Sequence, residues 1–540
     1  MRLQQERFYD VLVVGAGIAG ITAAMEAAEA GSTVLLTSGG ATFSGSSFYP
    51  GTWGLGLIGP ENEGDCADLA ATICRVGCGM ADPALVRTFV AGIAPAIEKV
   101  RAMGVKLRRA DSSAQKEFIP CFDHKHRDWN GIEFDSARRV FSKRMAELGI
   151  ETLPHSELLE LVQRAGRVEG GVFAQGDGLH YFGCNALILA TGGYGGLYKY
   201  RLTTADVTGC GQALALRAGG TLTNMEFLQM MPGYITPAPK TIFNEKTFRF
   251  TELKTPAGLP LLGGLVGVSA LLEERSTHGP FTSRLPSKAV DFRLMEAFLA
   301  DARGVTATYT PALRENPPEF IRTYFDWLRE EKHLTPDDPI QLGIFAHAAN
   351  GGIRIGCDGA VGVPGLFACG EVTGGMHGAD RLGGLSTANG LVFGGKAGRG
   401  AAAFCKAAPA TIARDWDFDP WAAEGVSEAG ALLQETMFRT AMLLRSEAGL
   451  QGALDQIAQL QRGCIRHPAT RVADIVGSRR LENQLITATC ILQAAQLRRE
   501  SRGSHNRTDF PAENPAMGAP ITVTWAGAPA AHLEEQLSCQ

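Results

Sequence analysis

The stretch F-Y-D-V-L-V-V-G-A-G-I-A-G-I-T-A-A-M-E-A-A-E-A-G-S-T-V-L-L, from Phe8 to Leu36, decides the fold. Residues 11–14 are wholly apolar, as in a strand buried on both faces of a parallel sheet. Gly15, Gly17 and Gly20 then form G-x-G-x-x-G. The first allows a tight turn, the second lets backbone approach a pyrophosphate, and the third lets helix pack closely on strand. An Ala-rich helix is expected over 18–30, its first N–H groups aimed at phosphate, with Gly31 ending it and a second strand at 34–36. Gly15, Gly17, Ala19 and Gly20 are the candidate cofactor-binding residues here. The acid that usually takes an adenosine ribose at the end of the second strand is missing. Thr37 and Ser38 stand there, so a hydroxyl must serve or the site is weakened. From this stretch alone NAD, NADP and FAD are indistinguishable.

Working outward, residues 39–58 are rich in glycine and hydroxyl groups and read as a loop. Ser44, Ser46, Ser47 and Gly51 are placed to wrap a pyrophosphate or flavin ring. The aromatics Phe43, Phe48, Tyr49 and Trp53 argue for burial rather than a free linker. Helices are expected over 65–78, over 83–103 with Asp82 capping and Pro83 at the first position, and over 136–148. A strand–turn–strand patch lies near 158–182. A further buried strand at 186–190 ends in Thr191-Gly192-Gly193, a second glycine turn at the same sheet edge.

Between these lies a His-, Asp- and Arg-rich segment, 116–134. Asp123, His124, His126 and Asp128 are candidate metal ligands, but no element fixes their geometry and a solvated loop is the expectation. A small-residue helix follows a glycine turn within 203–220. From 233 to about 339 the composition shifts to more Pro, Thr, Lys and Phe, as in an inserted domain. Residues 341–399 return to the opening style, with a buried strand at 365–369 and a glycine loop opening a helix. The pattern is then helical to about 499, and the last forty residues, polar and Pro-containing, are expected to wrap the surface.

The totals set limits. At 540 residues two or three domains are expected. A formal charge of -5 argues against nucleic acid or an anionic membrane as main partner. There is no targeting-type start and no apolar run of membrane length. The twelve cysteines are scattered without a C-x-x-C pair, which suits reduced thiols in a cytoplasmic protein.

Five further stretches carry a resemblance. They are A-T-G-G-Y-G-G-L-Y, M-E-F-L-Q-M-M-P, H-A-A-N-G-G, G-E-V with H-G-A-D-R-L-G-G-L-S, and R-R-E-S-R-G-S-H-N-R-T-D-F-P. Together they resemble the flavoprotein family of succinate dehydrogenase, fumarate reductase and L-aspartate oxidase over nearly the whole chain. The resemblance selects FAD over NAD. It implies an α/β fold: a Rossmann-like FAD-binding domain (1–232 and 341–404), an inserted α+β capping domain (233–340) and a C-terminal helical domain (421–540). It further implies that Arg381 and His347 hold carboxylate groups, that Glu371 accepts from the FAD ribose, and that Ser386 and Thr387 face the flavin. Without the motif, His347 reads as a core histidine and Arg381 as half of a surface ion pair. A capping-domain arginine is implied as the proton donor: Arg275 by spacing, or Arg249 by local pattern.

Departures from the family pattern are as informative. Met231 stands where a substrate histidine is expected, Cys210 replaces an acid, and Asp380 and Leu385 replace asparagines. No histidine lies in the 44–51 loop, so FAD held without a covalent bond is expected. The implied activity is hydride transfer between flavin N5 and a small carboxylate, as in fumarate or unsaturated-acid reduction. The alternatives are an L-aspartate oxidase-type amino-acid oxidase, an electron-transfer subunit with a redox partner protein or a homo-oligomer, and a flavin binder without turnover.

Overall fold

In the computed structural model, residues 4–52, 55–109, 121–408 and 418–535 are described. Trp53 lies outside them. The main sheet has seven strands. Strand Gln4–Val14 lies between Val34–Thr37 and Gly178–Leu189, all parallel, and Glu151–Leu153 adds beyond Val34–Thr37. The long strand Gly178–Leu189 is shared. Its first half pairs antiparallel with Arg167–Gln175, and its last residues pair parallel with Leu366–Ala368. One strand thereby delivers Thr191 and Gly192 beside Gly15, and its neighbour delivers Glu371.

Helix Ile18–Glu29 follows the first strand, and helix Leu385–Ala407 packs against it. The contact face is Gly390, Gly394 and Gly398, one turn apart. A methyl group on Gly394 would lie 2.5 Å from Ala19 O, and one on Gly398 2.3 Å from Ala23 O. The expected cap at Asp82 is present, its carboxylate accepting from Ala84 N and Leu85 N.

A second, antiparallel sheet runs in the order Leu228–Thr236, Ile340–Ala349, Val305–Tyr309, Thr251–Lys254. It crosses the expected boundaries at 232 and 341, so the capping segment grows from strands that also reach the flavin-binding side. Helices Val426–Thr440, Glu447–Gly463 and Val472–Leu497 form the C-terminal unit.

Two expectations are corrected. The His-rich segment is not simply a solvated loop where it is described. Arg127 has a fully buried side chain and donates to Asp123, Asp65 and Asp68 at 2.6–2.7 Å, and Asp128 opens strand Asp128–Ile132. Among the described residues no cluster of three or more metal-ligating side chains is present. Nor do the last forty residues only wrap the surface. Ser501, Ser504, His505 and Arg507 are buried, and Ile521–Trp525 joins a four-stranded sheet beside Leu222–Thr223. The charges there are paired internally, which makes their burial tolerable.

Candidate active site

A cavity of about 420 Å³ opens at the carboxyl ends of the parallel strands. Its lining includes Gly15, Gly17, Ala19, Ser38, Ser44, Ser46, Ser47, Thr191, Gly192 and Glu371. Gly15 has φ +115°, and a methyl group there would sit 2.2 Å from Ala190 O; only glycine permits that turn. Ile18 N–H donates to Ser47 Oγ at 3.2 Å, tying the start of the helix to the serine loop. The donor set fits the adenine dinucleotide that the fingerprint implies. Helix N–H groups and several hydroxyls line one space, and Thr191 Oγ1 is buried there without a protein partner among the described residues. Glu371 accepts from Ala349 N–H at 3.0 Å, and burial pushes its carboxyl above the usual range.

The sequence reading missed the far end. Ser156, Glu157, Asp206 and Arg480 also line the cavity. Ser44 Oγ donates to Asp206 at 2.5 Å, and Arg480, from the C-terminal helices, grips Glu157 with two nitrogens. Glu157 is an acid on the wall of a pocket that lacks one at Thr37 and Ser38. No spacing rule reaches from residue 37 to residues 157 and 480. Gly51, Ser386 and Thr387 fall outside this lining. Gly51 packs against Lys240 O and the Tyr49 ring, while Ser386 and Thr387 occupy the first turn of helix Leu385–Ala407.

The second centre is built on the antiparallel sheet. Met230 pairs with Ala346 and Gln229 with Ala348, which leaves His347 as the extra residue of a bulge. Bulges re-aim side chains at functional sites. Arg381, in the glycine loop before helix Leu385–Ala407, donates from Nε to Gln229 Oε1 at 3.0 Å, and Gln229 Nε2 returns a bond to Arg381 O at 3.4 Å. Neither terminal nitrogen of Arg381 has a protein acceptor among the described residues. His347 Nδ1 is buried and has no partner among the described residues. Burial, reinforced by the Arg381 charge, brings the His347 pKa down to about 3, so the ring is neutral. Gly279 lies near Met231. A methyl group on it would stand 3.1 Å from Met231 Cε, 3.3 Å from Cys121 Sγ and 3.6 Å from Glu245 Oε2.

Comparison with known proteins gives the family of the chain that carries both centres. Residues 10–251 and 300–387 match the family described as "FAD binding domain", and 431–535 match "Fumarate reductase flavoprotein C-term". The L-aspartate oxidase of Caulobacter vibrioides is 30% identical, over 96% of this chain and 97% of the relative. One component of the fumarate reductase (CoM/CoB) of Methanothermobacter marburgensis is 28% identical, over 94% of this chain and 95% of the relative. The Mycobacterium smegmatis Sdh1 structure in complex with UQ1 superposes with a TM-score of 0.81 at 25% identity, over 99% of this chain and 95% of the other. The chain belongs to the succinate dehydrogenase, fumarate reductase and L-aspartate oxidase family of FAD-dependent oxidoreductases.

As a family member it places its arginines unexpectedly. Arg275, expected as the proton donor, is fully buried. It pairs with Asp291 at 2.9 Å, donates to the carbonyls of His278 and Gly279, and stacks on Phe248. Its donors are spent inside the capping segment, so the catalytic role is not carried forward. Arg249 lies at the surface, 3.7 Å from Glu273. Arg284 bonds Asp380 at 2.9 Å, and Thr282 Oγ1 bonds the same oxygen, so the acid in place of the family asparagine ties cap to clamp loop. The two outlying motifs meet in the core: Arg498 donates to Glu226 at 2.6 Å, both side chains fully buried. No described helix is long and apolar enough to cross a membrane.

Proposed function

We propose that this flavoprotein transfers hydride between bound FAD and a small carboxylate substrate held by Arg381 and His347. The observation that carries the reading is the half-used guanidinium. Gln229 occupies Nε and fixes the plane, while among the described residues the terminal nitrogens have no acceptor and the neighbouring His347 Nδ1 has no partner. Burial disfavours that charge, and a ligand carboxylate, accepted bidentately, compensates it. Neutral His347 serves as a hydrogen-bonding group, since its low pKa leaves no proton to give at neutral pH.

FAD, when bound, supplies the two-electron chemistry. The chain's own work is to bind, orient and polarise: Thr191, Ser46, Ser47 and Glu371 hold the nucleotide, and Arg381 stabilises negative charge on the substrate carboxylate. Residues 233–340 act as the lid that excludes water. Because residues 44–51 include no histidine, we infer that the cofactor is held non-covalently.

A second reading, amino-acid oxidation, is favoured by Glu245. It is buried, 3.8 Å from Cys121 Sγ and without an ion-pair partner among the described residues, so it can receive a substrate ammonium. The relatives named L-aspartate oxidase point the same way. The test is flavin absorbance of the purified holoprotein mixed anaerobically with succinate or L-aspartate and, after photoreduction, with fumarate or aryl-acrylates. Bleaching by L-aspartate alone selects the second reading. No spectral change with any of them removes the carboxylate reading.

A further inference from the structure

We propose that Arg201 and Lys240 form a second oxyanion site, for a carboxylate or phosphate group, at the outer end of the wall that begins at the Arg381 clamp. The wall is continuous. Gln229 and Met231 share one face of strand Leu228–Thr236, and Met231 pairs with Phe345, two residues before His347. Met231 and Phe345 pack with Tyr49, Leu202 and Ile242 as one apolar patch. Arg201 bridges Ala346 through its backbone, and Leu202 N–H donates to Ala346 O at 2.8 Å, so the cation sits at the rim of this patch.

Among the described residues the two cations lack counter-charges. Arg201 donates one Nη1 bond to Tyr198 O at 3.1 Å, its Nε is buried without a partner, and among the described residues neither Arg201 nor Lys240 makes an ion pair. Burial lowers the Arg201 pKa; burial, then the Arg201 charge, lowers that of Lys240. Two like charges held together without an acid are a cost that a bound anion removes.

Lys240 is also held in a strained backbone. It has φ +66°, unusual for a residue with a side chain. Two bonds pin it there: its N–H donates to Tyr234 O at 2.8 Å, and its carbonyl accepts from Tyr49 OH at 2.6 Å. Gly51 completes the clasp, since a methyl group there would lie 2.4 Å from Lys240 O. The strain fixes where the lysine leaves the chain.

The probe is inorganic phosphate, titrated calorimetrically into the full-length, FAD-loaded protein. Wild type and Arg381→Gln should bind phosphate alike, because the second site does not need the clamp. Arg201→Gln and Lys240→Gln should each weaken binding by about tenfold or more, the worth of one charge-assisted hydrogen bond. Lys240→Arg should restore it. Lys240 is exposed, so its variants report even if Arg201→Gln fails to fold. Competition by glutarate that disappears in Arg381→Gln would assign the site to the distal end of the clamped ligand; absence of competition would assign it to a separate ion. Wild type failing to bind phosphate, or binding lost with Arg381 and kept with Arg201→Gln, overturns the proposal.

Discussion

Gln229 and Arg381 hold each other: the guanidinium Nε bonds the amide oxygen, and the amide nitrogen returns to the arginine carbonyl. The pair fixes a planar fork from two chain segments 152 residues apart, its outer edge without an acceptor among the described residues.

Removing the fork should therefore remove catalysis before it removes the cofactor. Arg381→Gln is expected to lower kcat/KM by about 2–5 kcal/mol, the cost of truncating a desolvated charge pair, with FAD content unchanged. Gln229→Leu should cost less, because the charge remains and only its plane is freed. Equal loss of FAD in both would place Arg381 in cofactor binding instead.

Arg275 should behave as a structural residue. Arg275→Met leaves Asp291 buried and unpaired, so stability is expected to fall by about 3–5 kcal/mol in a denaturant melt. The kcat of the folded holoprotein should change less than about tenfold, whereas loss of a proton donor costs about 10²–10⁴. A fall of the latter size would restore Arg275 as the acid.

If FAD is held without a covalent bond, as the histidine-free 44–51 loop suggests, acid precipitation should release all of the yellow colour into the supernatant. Colour retained in the pellet after washing would identify a covalent link.

The Glu226–Arg498 pair joins the second sheet to the tail of the last helix, both side chains out of water. Glu226→Ala strands a buried cation and should destabilise the fold by about 3–5 kcal/mol, read as a lower urea midpoint. An unchanged midpoint would mean that the two segments do not meet.

Asp380 makes a pH prediction. Burial raises its pKa to about 6, opposed by Arg284 and Thr282, while the unfolded value is near 3.9. The folded state then binds more protons between pH 4 and 6, so this group makes stability fall as pH rises through that window, by roughly 3 kcal/mol in total. In Asp380→Asn that slope should vanish, seen as a smaller change in Tm from pH 4 to 7 than in wild type. Parallel profiles would show that Asp380 does not titrate there.

Much was legible where the physical demand is local. The glycines at 15, 17 and 20 announce a close approach within thirty residues of sequence, and the Asp82–Pro83 cap needs only its own next turn. Motif resemblance singled out Arg381, His347 and Glu371, of which Glu371 lines the cavity and His347 sits at a strand bulge. Polar runs were misjudged: residues 501–507 were expected at the surface and Arg127 in a solvated loop, because partners such as Arg445 and Asp65 are distant in sequence. Likewise the bulge at His347 exists only once two strands are paired.

The sequence by itself determined the nucleotide-binding strand–turn–helix, the family and the residue types at the clamp, because steric needs of backbone and cofactor are written in adjacent positions. The tertiary structure alone decided which arginines are free. Arg275 spends its charge on Asp291 and Arg284 on Asp380, while the outer edge of Arg381 has no acceptor among the described residues. A side chain's charge is fixed by its identity, but whether it remains available depends on the groups folding brings within a few ångströms.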